Sequence, residues 1–170
     1  CTGKDPYAPG EPLGTFKVTG ALVSSTCGAT PNPWQFDVRL RHDATTTLYW
    51  VQGDAPIKGR IDAAARSVLT ASDTRTVRAA DEKKKLPACT MIRQDEVDLV
   101  LAPVATPVTA TTDVATARSF KGTLVYRFAP VEGASGDDQL AVVGGDFAKL
   151  PCEVSYTLAA ERSDGATATK

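Results

Sequence analysis

Apolar and polar side chains alternate along Pro33-Trp34-Gln35-Phe36-Asp37-Val38-Arg39-Leu40-Arg41. Successive side chains of an extended chain point to opposite faces. The four apolar residues from Trp34 to Leu40 therefore share one face, and the amide and charged side chains share the other. This pattern is typical of a half-buried strand in an antiparallel sheet that has one face in water.

The same alternation returns along the chain and predicts the fold class. It is clearest in residues 15–23, 119–128 and 152–158, and residues 45–51 are rich in residue types that favour strands. About eight to ten strands with mostly short connections and little helix predict an all-β protein. Two architectures fit this pattern, a single antiparallel β-barrel and a two-sheet β-sandwich, and both stay open at this point.

Composition divides the chain into three parts. Residues 1–14 are rich in proline and glycine, which disfavour regular structure, so we expect a tether there. Residues 15–161 form the predicted antiparallel β domain. The small polar residues of the segment 162–170 predict a loose tail.

Charge and hydropathy exclude some partners. The chain has 19 basic and 20 acidic side chains, a formal net charge of −1. It therefore lacks the basic surface that holds phosphates, and we expect no nucleic-acid partner. No apolar run approaches the roughly 20 residues that a membrane-spanning helix needs.

The opening residues Cys1-Thr2-Gly3 resemble the mature start of a bacterial lipoprotein. In that family the first cysteine carries the lipid, and two or more acyl chains anchor a protein stably to a membrane. Thr2 stands where an aspartate retains family members at the inner membrane. The resemblance implies a lipidated Cys1, a signal peptide already removed, and an outer-membrane location on a face that stays undetermined.

In strand rhythm, the body of the chain resembles a calycin, or lipocalin-like, β-barrel. A meander of strands joined by hairpins is the order that an up-and-down barrel requires. The first strand departs from the family pattern, because Gly14-Thr15-Phe16 stands where lipocalins have Gly-x-Trp. The resemblance implies a barrel that carries a small apolar ligand.

The candidate ligand-pocket residues are four aromatic residues on the predicted inward faces of two strands: Trp34, Phe36, Tyr126 and Phe128. Aromatic rings at such positions either line a cavity or fill the core. The sequence leaves both possibilities open.

The cysteines suggest a disulfide. With Cys1 lipidated, three thiols remain, and exported proteins keep disulfides. Because Cys27 and Cys89 both lie where a loop meets a strand, we expect them to pair, with Cys152 buried and reduced. No two cysteines have the close spacing of zinc ligands and the chain has one histidine, so no metal or other cofactor is expected.

Catalytic motifs are sparse. His42 is the sole histidine of the chain, so any Ser–His–acid relay would depend on it. We therefore expect no enzyme, and a hydrolase is the weakest of the functions considered.

Two further functions, of different classes, follow from these observations. The first is a non-enzymatic accessory or structural subunit, anchored to the outer membrane by Cys1 and acting through protein contacts. The long Thr-, Ala- and Pro-rich segment 102–117 is its candidate contact surface. The alternative is a lipocalin-like carrier that binds a small apolar ligand in the barrel.

Overall fold

The structure, a computed structural model, describes residues 9–43, 46–53, 55–78, 82–85, 89–131, 136 and 140–163. Its strands are β1 Glu11–Ser25, β2 Trp34–Asp43, β3 Thr47–Val51, β4 Ile57–Ile61, β5 Arg66–Arg78, β6 Cys89–Ala102, β7 Ser119–Pro130 and β8 Cys152–Arg162. Two short 3-10 helices, Val114–Thr116 and Ala141–Val143, lie in the connections. The described part of the chain holds no helix with the length and hydrophobicity to cross a membrane.

The eight strands form a closed barrel. Each strand pairs antiparallel with the next, and β8 returns to pair with β1. The prediction of an all-β fold is confirmed, and closure decides between the two architectures in favour of the barrel. This is also the architecture that the calycin resemblance implies. Closure gives every strand two neighbours and so leaves no unpaired sheet edge.

Strand alternation places the core inside the barrel. Val38 and Leu40 of the opening stretch are each 1% exposed, whereas Gln35, Asp37 and Arg39 are exposed on the outer face. Phe16, Leu69 and Phe120 are among the fully buried side chains from other strands. Burial of such apolar side chains is the main favourable contribution to folding.

Residues 103–118 close one end of the barrel, which we call the floor. Val114 and Ala117 of this connection are fully buried in the core. The amide of Val108 donates to the carbonyl of Ala63 at 2.8 Å, which ties the connection to the turn between β4 and β5. The interpretation of segment 102–117 as an extended loop without a packed face is therefore wrong, because a few of its apolar side chains cover the open end of the core. Its role as a contact surface stays a prediction.

The disulfide joins Cys27 to Cys152, with the Cα atoms 5.0 Å apart. The predicted pairing of Cys27 with Cys89 is therefore wrong, as is a reduced Cys152. Cys27 follows β1 and Cys152 begins β8, and these two strands are neighbours where the barrel closes. Cys89 begins β6, whose neighbours are β5 and β7, so it lies on a different part of the barrel.

The strand boundaries differ slightly from the predicted domain. β1 begins at Glu11, four residues before the predicted start, and β8 ends at Arg162. Arg41 explains the early start, since its Nε and one terminal nitrogen donate to the carbonyls of Pro9 and Gly10 at 2.8 and 2.7 Å. Cys1, most of the predicted tether and residues 164–170 of the predicted tail lie outside the described residues.

Candidate ligand-binding site

A cavity of about 730 Å³ opens at the end of the barrel opposite the floor. We call this end the mouth. It carries the connections between β1 and β2 and between β3 and β4, and Pro31 and Gly53 from these connections line the cavity. A volume of this size is typical of pockets that enclose small organic molecules.

Aromatic rings form one side of the cavity. We call this group the aromatic wall; its members are Trp34, Trp50, Tyr126, Phe128 and Tyr156. The ring of Trp34 lies 5.3 Å from that of Tyr156 and 5.8 Å from that of Tyr126, between centroids. These separations are within the range of favourable aromatic pairs, so the rings hold one another in place.

Contacts with residues of the connections fix the aromatic wall at the mouth. The hydroxyl of Tyr156 donates to the carbonyl of Pro31 at 2.9 Å. The ring of Phe128 packs against Phe147, with centroids 5.2 Å apart. Trp50 Nε1 donates to Oε1 of Gln52 at 3.2 Å. These contacts with the connections therefore hold the rings in place before a ligand binds, so a ligand has fewer side chains to order.

The aromatic wall continues into the core. Trp50 is 1% exposed, and its ring lies 5.9 Å from Phe120, which in turn lies 5.4 Å from Phe16. Below the cavity the barrel is therefore filled by side chains, as expected for an eight-stranded barrel. The cavity occupies the mouth half alone.

Charged side chains form the opposite side of the cavity. Four of them lie at inward positions of β5 and β6, and we call them the ionic ladder: Asp73, Arg75, Arg93 and Asp95. Arg75 Nε donates to Asp73 and Arg93 Nε donates to Asp95, both at 2.8 Å. Asp73 lies directly opposite Arg93 in the strand pairing. Charges of opposite sign therefore alternate along the ladder.

Arg93 connects the two sides of the cavity. Its guanidinium carbon lies 4.7 Å from the centroid of the Tyr126 ring and 5.9 Å from that of Phe128, within the distance of cation–π attraction. Partial burial lowers the pKa of Arg93, but the hydrogen bond and charge of Asp95 outweigh this effect and raise the pKa above its usual value. Arg93 is therefore a fixed positive charge.

Tyr126 supplies a neutral hydroxyl at the same place. Burial is the largest influence on this phenol and raises its pKa well above the usual value, although the nearby charge of Arg93 acts in the opposite direction. The hydroxyl stays protonated at neutral pH and can donate a hydrogen bond.

Three of the four predicted pocket residues line the cavity, namely Trp34, Tyr126 and Phe128. Phe36 lies behind Trp34, with the ring centroids 4.5 Å apart, and supports it. Trp50, Tyr156 and the four residues of the ionic ladder also line the cavity, and none of them was predicted as a pocket residue. The ladder could have been found from the alternation in β6. Val97 and Leu99 face inward, and Asp95 and Arg93 follow at the same two-residue spacing, so they face inward as well.

The remaining predicted sites lie elsewhere. His42 lies in β2 and pairs with Leu48 of β3, toward the floor and away from the cavity. No group of three or more His, Cys, Asp or Glu side chains that could hold a metal ion occurs in the part of the chain that the structure describes. Lipidation of Cys1, the outer-membrane location and a protein partner stay predictions.

The fold and the site together define a class: a closed, up-and-down eight-stranded β-barrel with a floor of side chains and a half-aromatic, half-ionic cavity at its mouth. Comparison of the chain with protein-family models, with curated proteins and with solved structures finds no match.

Proposed function

We propose that this protein binds a small, mainly apolar ligand in the cavity at the mouth of the barrel. The observation that carries the proposal is the aromatic wall beside a cavity of about 730 Å³. A core optimised for stability alone is packed without voids of this size. Aromatic side chains left facing such a space are the usual lining of a small-molecule site.

Binding in this cavity follows from surface burial. A flat or extended apolar molecule placed against Trp34, Tyr126 and Phe128 removes apolar surface from water on both partners, which is favourable. Because contacts from the mouth connections already hold the rings, the ligand orders few side chains when it binds. The protein acts in this proposal as a carrier or binding protein and performs no chemistry.

The intrinsic tryptophan fluorescence of the protein can detect binding in the cavity. It contains two tryptophans, Trp34 and Trp50, and both line the cavity. A ligand in the cavity will therefore change the tryptophan emission of the whole protein. The experiment is a titration with the uncharged fluorescent probe N-phenyl-1-naphthylamine, followed by quenching of tryptophan and by the rise in probe emission.

A matched pair of variants locates the binding. Ala71 lines the cavity, and its neighbour Thr70 is exposed on the outer face of β5. Ala71→Phe should place a ring in the cavity and weaken saturable binding, whereas Thr70→Phe should leave binding unchanged. Urea unfolding of both variants verifies that they are folded. Absence of saturable binding to the unaltered protein, or equal binding by both variants, would rule out the proposed function.

A further inference from the structure

We propose that the ligand is an organic anion and that Arg93 binds its charged group; this rests on the proposed function and extends it. The ligand's apolar body would lie against the aromatic wall. Its carboxylate, sulfonate or phosphate group would lie at the ionic ladder.

The guanidinium of Arg93 is held ready for a second acceptor. Its bond to Asp95 uses Nε, and its guanidinium carbon lies 4.7 Å from the centroid of the Tyr126 ring. The Tyr126 hydroxyl interacts with the same guanidinium, and the bond to Asp95 does not use the two terminal amino groups. A guanidinium held in this way suits the planar, two-pronged recognition of a carboxylate or a related oxyanion.

Exposure favours an anion over a cation. In the pair Arg93–Asp95, the arginine side chain is 42% exposed and the aspartate 17%. In the pair Arg75–Asp73, the values are 77% and 56%. In both pairs the arginine is the more accessible member, so each pair presents more of its guanidinium than of its carboxylate.

The ladder's aspartates leave part of Arg93 accessible. The charge of Asp73 acts on Arg93 from across the strand pair, but its hydrogen bond is with Arg75. Asp95 is bound at one edge of the Arg93 guanidinium. The aromatic rings beside Arg93 replace water on one face, which strengthens its interaction with an anion relative to an arginine fully surrounded by solvent.

A matched pair of probes tests the charge preference. The probe 8-anilino-1-naphthalenesulfonate has the same rings as N-phenyl-1-naphthylamine and adds a sulfonate. We expect the protein to bind the sulfonate probe about tenfold more tightly than the uncharged probe, because a charge-assisted hydrogen bond contributes about this much to affinity. Arg93→Gln should remove about this factor for the sulfonate probe and leave the uncharged probe nearly unaffected.

Two controls separate direct contact from general electrostatics. Arg127 lies on the outer face of β7, where it pairs with Glu153, so Arg127→Gln removes the same charge without altering the cavity. The double variant Arg93→Gln/Asp95→Asn keeps the net charge of the cavity unchanged. Like Arg93→Gln alone, the double variant should bind the sulfonate probe only weakly.

The outcomes distinguish this inference from the proposed function. Equal affinity for the two probes, or recovery of sulfonate binding in the double variant, would overturn the role of Arg93 while the cavity remained a binding site. Failure of both probes to bind would instead overturn the proposed function, and this inference with it.

Discussion

Cys27 and Cys152 are 125 residues apart in sequence, yet their Cα atoms lie 5.0 Å apart. The bond crosses the seam where the last strand returns to the first. Two backbone hydrogen bonds lie beside it. The amide of Ala148 donates to the carbonyl of Cys27 at 2.8 Å, and the amide of Thr26 donates to the carbonyl of Glu153 at 2.9 Å. The disulfide therefore fastens the mouth connections to the seam, beside the cavity.

Removal of this bond should weaken the fold considerably. A crosslink that closes a loop of this length restricts the unfolded chain, and we expect Cys27→Ser/Cys152→Ser to lower the free energy of unfolding by about 3–5 kcal/mol. Urea denaturation monitored by tryptophan fluorescence measures the loss. Cys89→Ser is the control, because it leaves the bond between Cys27 and Cys152 intact. Peptide mapping without reduction should recover Cys27 linked to Cys152; a Cys27–Cys89 peptide would contradict the structure.

Replacement of Ser67 by alanine should stabilise the fold. It faces inward from β5, is 1% exposed, and its hydroxyl has no hydrogen-bond partner. A buried hydroxyl without a partner has lost its hydration without compensation, so we expect Ser67→Ala to raise the free energy of unfolding by about 1 kcal/mol. Ser72→Ala, at an exposed position of the same strand, should have little effect. A destabilised Ser67→Ala protein would show that the hydroxyl has a partner.

The floor of the barrel should depend on one valine. Val114 lies in a three-residue 3-10 helix and is fully buried, so Val114→Ala should leave a small void and cost about 2 kcal/mol of stability. Val142 lies in the other short 3-10 helix and is 86% exposed. Val142→Ala is therefore the matched control, and equal effects of the two substitutions in thermal or urea unfolding would contradict the assigned floor.

The ion pair between Arg66 and Asp98 on the outer face should make the free energy of unfolding depend on pH in the acidic range. Arg66 Nε donates to Asp98 at 2.8 Å, and this hydrogen bond lowers the pKa of Asp98 below its usual value. The pKa is thus lower in the folded state than in the unfolded state. The pair stabilises the fold above the unfolded-state pKa, and this contribution is lost as the pH falls through the folded-state pKa.

Asp98→Asn and Arg66→Gln each remove this contribution. Both variants should show a flatter dependence of unfolding free energy on pH below about pH 4. The difference should be small because both side chains are partly exposed and solvent screens the pair. Denaturation curves collected from neutral to acidic pH measure it. Profiles that run parallel to that of the unaltered protein would show that the pair does not form in solution.

Local alternation explains why the strands were predictable. The inward positions of β2, β7 and β8 follow directly from a two-residue period, and Trp34, Tyr126 and Val154 lie where this period places them. Residues 89–102 were harder, because the polar run Gln94-Asp95-Glu96 interrupts the apolar pattern. The structure makes them one continuous strand, since an inward charge is tolerated where the barrel interior opens to water.

The site was predictable only in part. Aromatic residues on an apolar face indicate either core or cavity, and the difference depends on which rings lie opposite one another across the barrel. Tyr156 comes from β8, and its place beside Trp34 of β2 depends on the barrel closure that pairs β8 with β1. Trp50 comes from β3 and contacts Phe36 of the neighbouring β2. Arg93 acquires its position over Tyr126 through the pairing of β6 with β7.

By itself, the sequence determined that the chain forms an antiparallel all-β fold and which side of each clear strand faces the core, because these properties depend on neighbours in the chain. Tertiary structure alone decided that β8 meets β1, that Cys27 bonds Cys152, and that aromatic and ionic sides enclose one cavity. Those relationships join residues far apart in sequence, and they arise only when the last strand returns to the first.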